Sequence, residues 1–175
     1  MAVDVEDEFD ISIEIGGIVV SGETVRLGFS VAQQVTVSQW GDNTLDLDAI
    51  KTSPYDLALD DGSGLPAYLG VMLLQPKDAG NGQAPERPAG MVRMVVKTAA
   101  GDDWENAQTV LETDTVDVST VQVGSLFAVQ VFPPGGYQKR FRLYYEVQQS
   151  LENAWFYAFI TNQPSVDRRL SFVKV

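Results

Sequence analysis

The sequence contains no cysteine and no histidine. These absences exclude disulfides, thiol nucleophiles, haem and iron–sulfur ligation, zinc sites of the usual kind and every Ser-His-Asp arrangement. Catalysis would be left to carboxylates, lysine, tyrosine or an imported metal. A chain without cysteine suits either redox condition, so this absence does not identify a compartment.

Long apolar runs and a basic net charge are also missing. No apolar stretch approaches the roughly 20 residues that a membrane-spanning helix requires. The formal net charge of −12 argues against direct binding of nucleic acid, because such proteins present a basic face to the phosphates. Residues 1–10 are acidic, unlike a signal peptide. We therefore expect no membrane partner, no nucleic acid partner and action where the protein is synthesised.

The charge is unevenly distributed along the chain. The segment from Tyr137 to Val175 carries six of the twelve basic residues and three acidic residues, which gives +3. Because the total is −12, the preceding 136 residues carry −15. Solubility and solvated strand faces account for such charges in general. The alternative is a polar molecule whose basic end meets an acidic partner.

The turn spacing predicts an all-β fold. The 175 residues suit one domain with a single large core. Short alternating segments lie between Gly, Pro, Asn and Asp turns at intervals of roughly 8–12 residues, as in sandwiches and barrels. Trp104 to Val110 is the only candidate for a helical turn, and Thr109 to Leu111 could equally begin a strand.

The stretch from Phe127 to Thr161 predicts three strands of one sandwich, the first of which ends at the prolines and glycines of residues 133–136. In the second strand, alternation directs one set of side chains to the core: Phe141, Leu143, Tyr145 and Val147. It directs the other set to the opposite face: Arg140, Arg142, Tyr144 and Glu146. The third, Ala154 to Ile160, is apolar on both faces, as expected of a strand covered on both sides.

The sequence divides into three predicted parts. Residues 1–28 are predicted to form an N-terminal β arm or hairpin, because Phe9 to Ile15 alternates strictly and Gly16-Gly17 ends or bulges the strand. Residues 29–161 are predicted to form the sandwich, and residues 162–175 a C-terminal tail.

For several groups of acidic residues, a structural role explains the sequence better than a binding or catalytic role. Three acidic groups offer oxygen ligands for Ca²⁺, but none has the spacing of a Ca²⁺ loop, and Asp and Asn also form turns. These groups are Asp42-Asn43 with Asp46 and Asp48, Asp60-Asp61 with Ser63, and Asp102-Asp103 with Glu105. A glycosidase would need two facing carboxylates in a cleft. We therefore predict no metal site, no cofactor and no catalytic residues.

Aromatic and basic side chains are the better candidates for binding. A sugar-stacking platform could draw on six rings: Trp40, Trp104, Trp155, Tyr137, Tyr144 and Tyr157. Core packing explains Trp155 better, whereas Trp104, flanked by Asp103 and Glu105, is predicted to be exposed or interfacial. Arginine binds carboxylates through two parallel hydrogen bonds and is enriched at interfaces, although a solvated strand face explains the basic residues equally well. The predicted interface residues are Lys139, Arg140, Arg142, Trp104, Arg168 and Arg169.

Two sets of motifs carry a resemblance to a known family. The first set is Phe29-Ser30-x-Ala32-Gln33-x-Val35-Thr36, Asn43-Thr44-x-Asp46-Leu47, Asp56-Leu57 before Gly62 and Gly64, and Pro66-x-Tyr68-x-Gly70-Val71. The second set is Pro133-Pro134-Gly135, Lys139-Arg140-Phe141-Arg142-Leu143-Tyr144-Tyr145-x-Val147 and Ala158-Phe159-Ile160. In this order the motifs resemble the cement proteins of tailed-phage heads, of the Bordetella-phage type. Residues 148–153 depart from that family, which tends to have glycines there, and residues 1–28 and the tail have no counterpart.

The resemblance implies a jelly-roll sandwich that carries no catalytic site. Such a protein oligomerises on the outer surface of the virion head, is assembled in the host cytoplasm, and bridges subunits of the major capsid protein. A dimer is the first expectation and a trimer the second. The strongest alternative from another class is a carbohydrate-binding β-sandwich module, with or without Ca²⁺.

Overall fold

The computed structural model describes residues 18–21, 24–47, 66–74, 86–133, 135 and 137–161. Strands make up most of these residues, and a short 3₁₀ turn spans Val118–Thr120. The strands are β1 (Ile18–Ser21), β2 (Thr24–Gln34), β3 (Gln39–Asp46), β4 (Tyr68–Leu74), β5 (Ala89–Ala99), β6 (Gln108–Glu112), β7 (Val116–Asp117), β8 (Leu126–Val131), β9 (Arg140–Glu152) and β10 (Trp155–Thr161). The prediction of an all-β fold is confirmed.

The strands form two antiparallel sheets that pack face to face as a β-sandwich. Sheet 1 has the order β1-β2-β10-β4-β8. Sheet 2 has the order β3-β9-β5-β6, and β7 adds to β5 beside β6. Each sheet therefore combines strands from distant parts of the chain, so the fold depends on non-local pairing.

Eight of the strands pair as a folded ribbon. β2 pairs with β10, β3 with β9, β4 with β8, and β5 with β6. Among these eight, the first strand thus lies beside the last, the second beside the seventh, the third beside the sixth, and the fourth beside the fifth. Two further ladders, β10 with β4 and β9 with β5, close the ribbon into the two sheets.

The core lies between the two sheets, and β9 has the predicted register. Phe141, Leu143 and Tyr145 are fully buried, and Val147 packs against the same core. The alternate residues of β9, from Arg140 to Glu146, are only partly buried. A shift by one residue would exchange these two sets, so the alternation of the sequence specifies the pairing face.

β10 is buried on both faces, as its sequence predicts. Its inner side chains, Phe156, Ala158 and Ile160, belong to the main core. On its other face, Tyr157 and Phe159 form a second buried cluster with Met72 and Leu74 of β4, and Trp155 packs against that cluster. β10 lies between β2 and β4, in the middle of sheet 1.

The segment after β5 resolves the ambiguity between a helical turn and a strand. The Ala107 N–H donates to the Trp104 carbonyl at 3.4 Å, which closes a single turn. The chain then becomes extended, and β6 pairs with β5 through Gln108 opposite Thr98 and Leu111 opposite Val96. The helical alternative for Trp104 to Val110 is thus limited to a turn at its start.

At the N-terminal side, β1 and β2 form a hairpin in which Ser21 lies opposite Thr24. β2 continues to Gln34 and pairs with β10 from Arg26 onward, so the hairpin belongs to sheet 1. The predicted strand from Phe9 to Ile15 and the tail of residues 162–175 lie outside the described residues. Within the described part of the chain, no helix has the length and apolar character needed to cross a membrane.

Candidate functional site

The outer face of sheet 2 carries a compact group of aromatic and basic side chains, which we call the Trp–Arg cluster: Trp40, Lys97, Trp104, Arg142 and Tyr144. Strand register brings most of them together, because Trp40 of β3 lies opposite Tyr144 of β9, and Arg142 of β9 lies opposite Lys97 of β5. Trp104 joins them from the loop between β5 and β6. All five side chains are partly exposed.

The rings and the cations of the cluster are in direct contact. The Trp40 and Trp104 ring centroids are 5.6 Å apart, and Trp40 meets Tyr144 edge to face at 4.9 Å. The Arg142 guanidinium carbon lies 5.1 Å from the Trp40 centroid and 5.9 Å from the Trp104 centroid. The Lys97 ammonium lies 5.8 Å from Trp40. These are cation–π distances, so Arg142 of β9 links the indole of β3 to the indole of the loop after β5.

A buried hydrogen-bond chain positions Trp40. The Tyr145 hydroxyl donates to Ser30 Oγ at 3.0 Å, and Ser30 Oγ donates to Gln33 Oε1 at 2.6 Å. Gln33 Nε2 in turn donates to the Trp40 carbonyl at 2.9 Å. Burial raises the pKa of Tyr145, which keeps its hydroxyl protonated. Every member of this chain is paired, so the network fixes β3 beneath the cluster.

Gly41, the residue after Trp40, allows β3 to lie close to β2. Gly41 is buried, and a Cβ at this position would lie 2.9 Å from the Phe29 carbonyl oxygen and 3.0 Å from Ser30 Oγ. The register of β3 against β9 shifts between Trp40 and Thr44, so the backbone bends at this point. A side chain at position 41 would therefore collide with β2.

The loop that supplies Trp104 is held by its acidic residues. Asp102 forms an ion pair with Arg140 of β9, and the Asp102 carbonyl accepts from Trp104 N–H at 3.0 Å. Asp103 accepts from the side chain of Asn106 at 2.9 Å, and this hydrogen bond is the main reason why the pKa of Asp103 is lowered. The acids around Trp104 therefore stabilise the turn that presents the ring.

An ion pair lies further along the same face. Arg93 of β5 donates through Nε and Nη2 to Glu146 Oε2 of β9, at 3.0 and 2.9 Å. Glu112 of β6 lies 3.7 Å from Arg93 Nη1. The hydrogen bond from Arg93 lowers the pKa of Glu146, and partial burial opposes this shift. The three residues link β6, β5 and β9 across sheet 2.

Replacing Glu146 with glutamine should make the protein less sensitive to acid. A carboxylate whose pKa is lower in the folded state stabilises the fold above its unfolded pKa, near 4.3, and loses that contribution as the pH falls through the folded pKa. Wild type should therefore lose more stability than Glu146→Gln as the pH is lowered from about 5 to 3. Urea denaturation at both pH values measures the difference.

Glu105→Gln is the matched control, because it removes a carboxylate that lies outside this ion pair. Its acid sensitivity should follow that of wild type. Equal losses of stability in wild type and Glu146→Gln would show that the ion pair contributes nothing to the pH dependence.

The predicted interface residues have different surroundings in the structure. Arg140 is paired with Asp102, and Arg142 lies over the indoles and donates to the Gly41 carbonyl at 3.4 Å. Lys139 is exposed immediately before β9. Trp104 is partly exposed, in keeping with its predicted position, and Arg168 and Arg169 lie outside the described residues. The basic residues of this face are thus interleaved with acids and do not form a uniformly basic surface.

The predicted aromatic platform is assembled only in part. Trp40, Trp104 and Tyr144 come together, whereas Tyr137 packs edge to face on Phe141 of the core, with centroids 5.3 Å apart. The remaining two rings, Trp155 and Tyr157, lie on the outer face of sheet 1. The sequence placed Trp40 among candidate rings but gave no signal that it contacts Trp104, because that contact joins β3 to the loop after β5, and β4 and β5 lie between them in the chain.

In the structure, Asp42, Asn43 and Asp46 of the first acidic group considered for Ca²⁺ lie in β3, whereas Asp102 and Asp103 lie in the loop between β5 and β6. Asn43 Nδ2 donates to the Gly28 carbonyl, and Asp102 and Asp103 are engaged within the Trp104 loop. Within the described residues no three carboxylates are close enough to hold a metal ion. Asp48 and the group from Asp60 to Ser63 lie outside that part of the chain.

Sequence comparisons add no relative to this geometry. No protein-family model matches the chain, and no curated protein shows significant similarity to its sequence.

Proposed function

We propose that the sandwich is a jelly roll. In that fold an eight-stranded ribbon is rolled into two sheets, and the architecture is common in viral capsid proteins. The pairing of β2 with β10, β3 with β9, β4 with β8 and β5 with β6 supports this assignment. The ladders β10–β4 and β9–β5 are those that rolling such a ribbon would create.

We propose that the protein is a structural cement protein of a tailed-phage head. It binds the outer surface of the assembled capsid in the virion and bridges subunits of the major capsid protein. It self-associates, as a dimer in the first instance and a trimer as the alternative. It binds no nucleic acid or membrane directly, needs no cofactor and catalyses no reaction.

The observation that carries the proposal is the position of the segment with the strongest resemblance. Residues 139–147 resemble a closing strand of the cement proteins. All of them except Lys139 lie on β9 inside sheet 2, where Arg142 and Tyr144 lie beside Trp40 and Trp104. Trp, Tyr and Arg are the residues that dominate binding energy at protein interfaces. The cluster contains these three residue types, is partly exposed, and is held in position by the hydrogen-bond chain from Tyr145 to Trp40. It is therefore suited to contact another protein surface.

The mechanism would depend on contact area and repetition. A rigid sandwich that covers a seam between capsid subunits must be displaced before the seam can open. Standard interfaces bury about 1,200–2,000 Å², and one such contact can be modest in affinity. Copies that engage two subunits at once gain from effective concentration, which multiplies modest contacts into large avidity.

Reversing the charge of the two arginines should abolish decoration of the shell. Arg140→Glu with Arg142→Glu replaces Arg142 of the Trp–Arg cluster and Arg140, the partner of Asp102, while the core side chains of β9 remain. The double variant should keep a cooperative thermal transition but fail to co-sediment with purified empty heads. Co-sedimentation across a range of protein concentrations measures the loss, and unfolding followed by circular dichroism reports the fold.

Arg87→Glu is the control for a single charge reversal, to be compared with Arg142→Glu. Arg87 is exposed just before β5, where Ala89 lies opposite Glu152, whereas Arg142 lies opposite Lys97 near the other end of that strand. Arg87→Glu should bind heads as wild type does. Normal decoration by the folded double variant would remove these arginines from the interface, and failure of wild type to bind heads would reject the cement function.

The carbohydrate-binding alternative finds partial support in the same cluster. Trp40, Trp104 and Tyr144 are adjacent, but each indole already has Arg142 within cation–π distance, and the rings are tilted or edge to face. A Ca²⁺-dependent module would be stabilised by its ion in proportion to the logarithm of concentration. A rise in Tm with added Ca²⁺ would therefore favour this alternative over the cement protein.

A further inference from the structure

β8 forms an edge of sheet 1. It pairs with β4 along one side, and no other strand of the described residues pairs with it. Two of its side chains, Val129 and Val131, are 44% and 57% exposed. Edge strands are usually protected by charged side chains, because an uncovered apolar edge is a template for pairing with another strand.

A backbone hydrogen bond shows which groups of β8 face away from β4. The Phe132 N–H donates to the Ala67 carbonyl at 2.8 Å, at the end of the β4–β8 ladder. In an antiparallel ladder, alternate residues direct their N–H and C=O groups to the same neighbour. Gln130 therefore faces β4, as Phe132 does, and Val129 and Val131 direct their backbone groups to the free side. The same two residues thus offer both exposed side chains and hydrogen-bonding groups.

The lack of charge around β8 indicates which partner fits this edge. No charged residue occurs from Val118 to Gln138, although the chain has a net charge of −12. When a strand pairs with its own copy about a two-fold axis, like residues face each other, and like charges directly opposite are destabilising. The edge strands of sheet 2 carry such acids, Asp42 and Asp46 in β3 and Glu112 in β6. At β8, two acidic molecules can meet without opposing carboxylates.

We propose that β8 is the edge through which two copies of the chain associate. The strands would run antiparallel about a two-fold axis at Gln130, so that Val129 lies opposite Val131 of the second copy. This register uses the outward-facing groups of both valines and forms about four backbone hydrogen bonds between the chains. The two sheets 1 then become one continuous sheet across the dimer.

This arrangement closes on itself. Pro133 follows Phe132 and lacks an N–H, which ends the ladder, and a two-fold contact uses the same edge of both molecules, so no further copy can be added there. The inference rests on the self-association that is part of the proposed function, and it assigns that self-association to the edge of β8. Binding to the capsid is a separate property, measured separately.

The test places charge on the edge. Val129→Lys with Val131→Lys sets lysines opposite lysines in the dimer and leaves the inner face of β8 unchanged. The matched control is Val31→Lys with Val37→Lys, since these valines are 43% and 62% exposed but lie outside β8. Sedimentation velocity should give 38.2 kDa for wild type and the control, twice the 19.1 kDa of one chain, and 19.1 kDa for the edge variant.

Hydrogen exchange on wild type tests the register without any substitution. On dilution from dimer to monomer, the amides of Val129 and Val131 should lose protection, whereas the Gln130 amide, which faces β4, should keep it. A monomeric or trimeric wild type, a dimeric edge variant, or equal protection of the three amides at all concentrations would overturn the proposal. A dimer that depends on these valines but binds no heads would support this inference and reject the cement function.

Discussion

Gly90→Ala is expected to lower the free energy of unfolding by about 3–5 kcal/mol, from backbone strain and overpacking together. Gly90 has φ +112°, a conformation that residues with a Cβ rarely adopt. A Cβ here would also collide with the Ser150 carbonyl oxygen and lie 2.9 Å from both the Gln149 carbonyl oxygen and the Leu151 Cα. These are backbone atoms of β9, so relief requires the two longest strands of sheet 2 to move apart. Urea denaturation measures the loss.

Gly101→Ala is the matched control. A Cβ at Gly101 would meet nothing within 4 Å, and the residue lies in the loop after β5. Its substitution should change the free energy of unfolding by no more than about 0.5 kcal/mol, as surface changes usually do. Similar stabilities for the Gly90 and Gly101 variants would show that the irregular pairing at the start of β5 tolerates a side chain.

Phe156→Ala is expected to cost about 3–5 kcal/mol of stability, as large-to-small changes of buried aromatic residues do. Phe156 is fully buried on β10 of sheet 1. Its ring stacks on Tyr145 of sheet 2, with centroids 5.2 Å apart and an interplanar angle of 28°, and it also contacts Phe127 of β8. The change removes an aromatic contact between the two sheets beside the Tyr145–Ser30–Gln33 network. Urea denaturation followed by tyrosine and tryptophan fluorescence measures the loss.

Two further variants test whether the loss of stability in Phe156→Ala comes from the cavity that the substitution leaves in the core. Phe156→Leu keeps most of the apolar volume and should lose clearly less stability than Phe156→Ala. Val37→Ala, at a side chain that is 62% exposed, should stay within about 0.5 kcal/mol of wild type. A loss below about 1 kcal/mol for Phe156→Ala would mean that the sheets are not held together at this ring.

The register of β9 and the burial of β10 could be predicted from the sequence, because both follow from the periodicity of apolar side chains. Alternation along Phe141 to Val147 sets the register of β9, and apolar residues on both faces of Trp155 to Ile160 mark a strand inside a sheet. Both patterns result from which side of a strand meets water, a property of neighbouring residues. The all-β class follows from the same source.

The pairing of strands could not be predicted from periodicity. The sequence of β3 does not indicate that β9 is its neighbour. The contact of Trp40 with Trp104 depends on that pairing and on a loop held by the ion pair of Arg140 with Asp102. Because strand pairing could not be predicted, the sequence indicated Arg140 and Arg142 as interface residues but did not indicate their contacts with Asp102 and with the two indoles. The resemblance to phage cement proteins remains a prediction, to be decided by binding to heads.

The position of β10 in sheet 1 has a consequence for the synthesis of the protein. β10 is the last of the described strands and lies between β2 and β4, so each of those strands lacks one of its native neighbours until Thr161 has left the ribosome. Such a topology has a high contact order, which slows folding, and it leaves apolar strands uncovered while translation continues. The nascent chain therefore needs β10 to cover the apolar faces of β2 and β4, and truncation before β10 would yield a polypeptide recognised by chaperones and proteases.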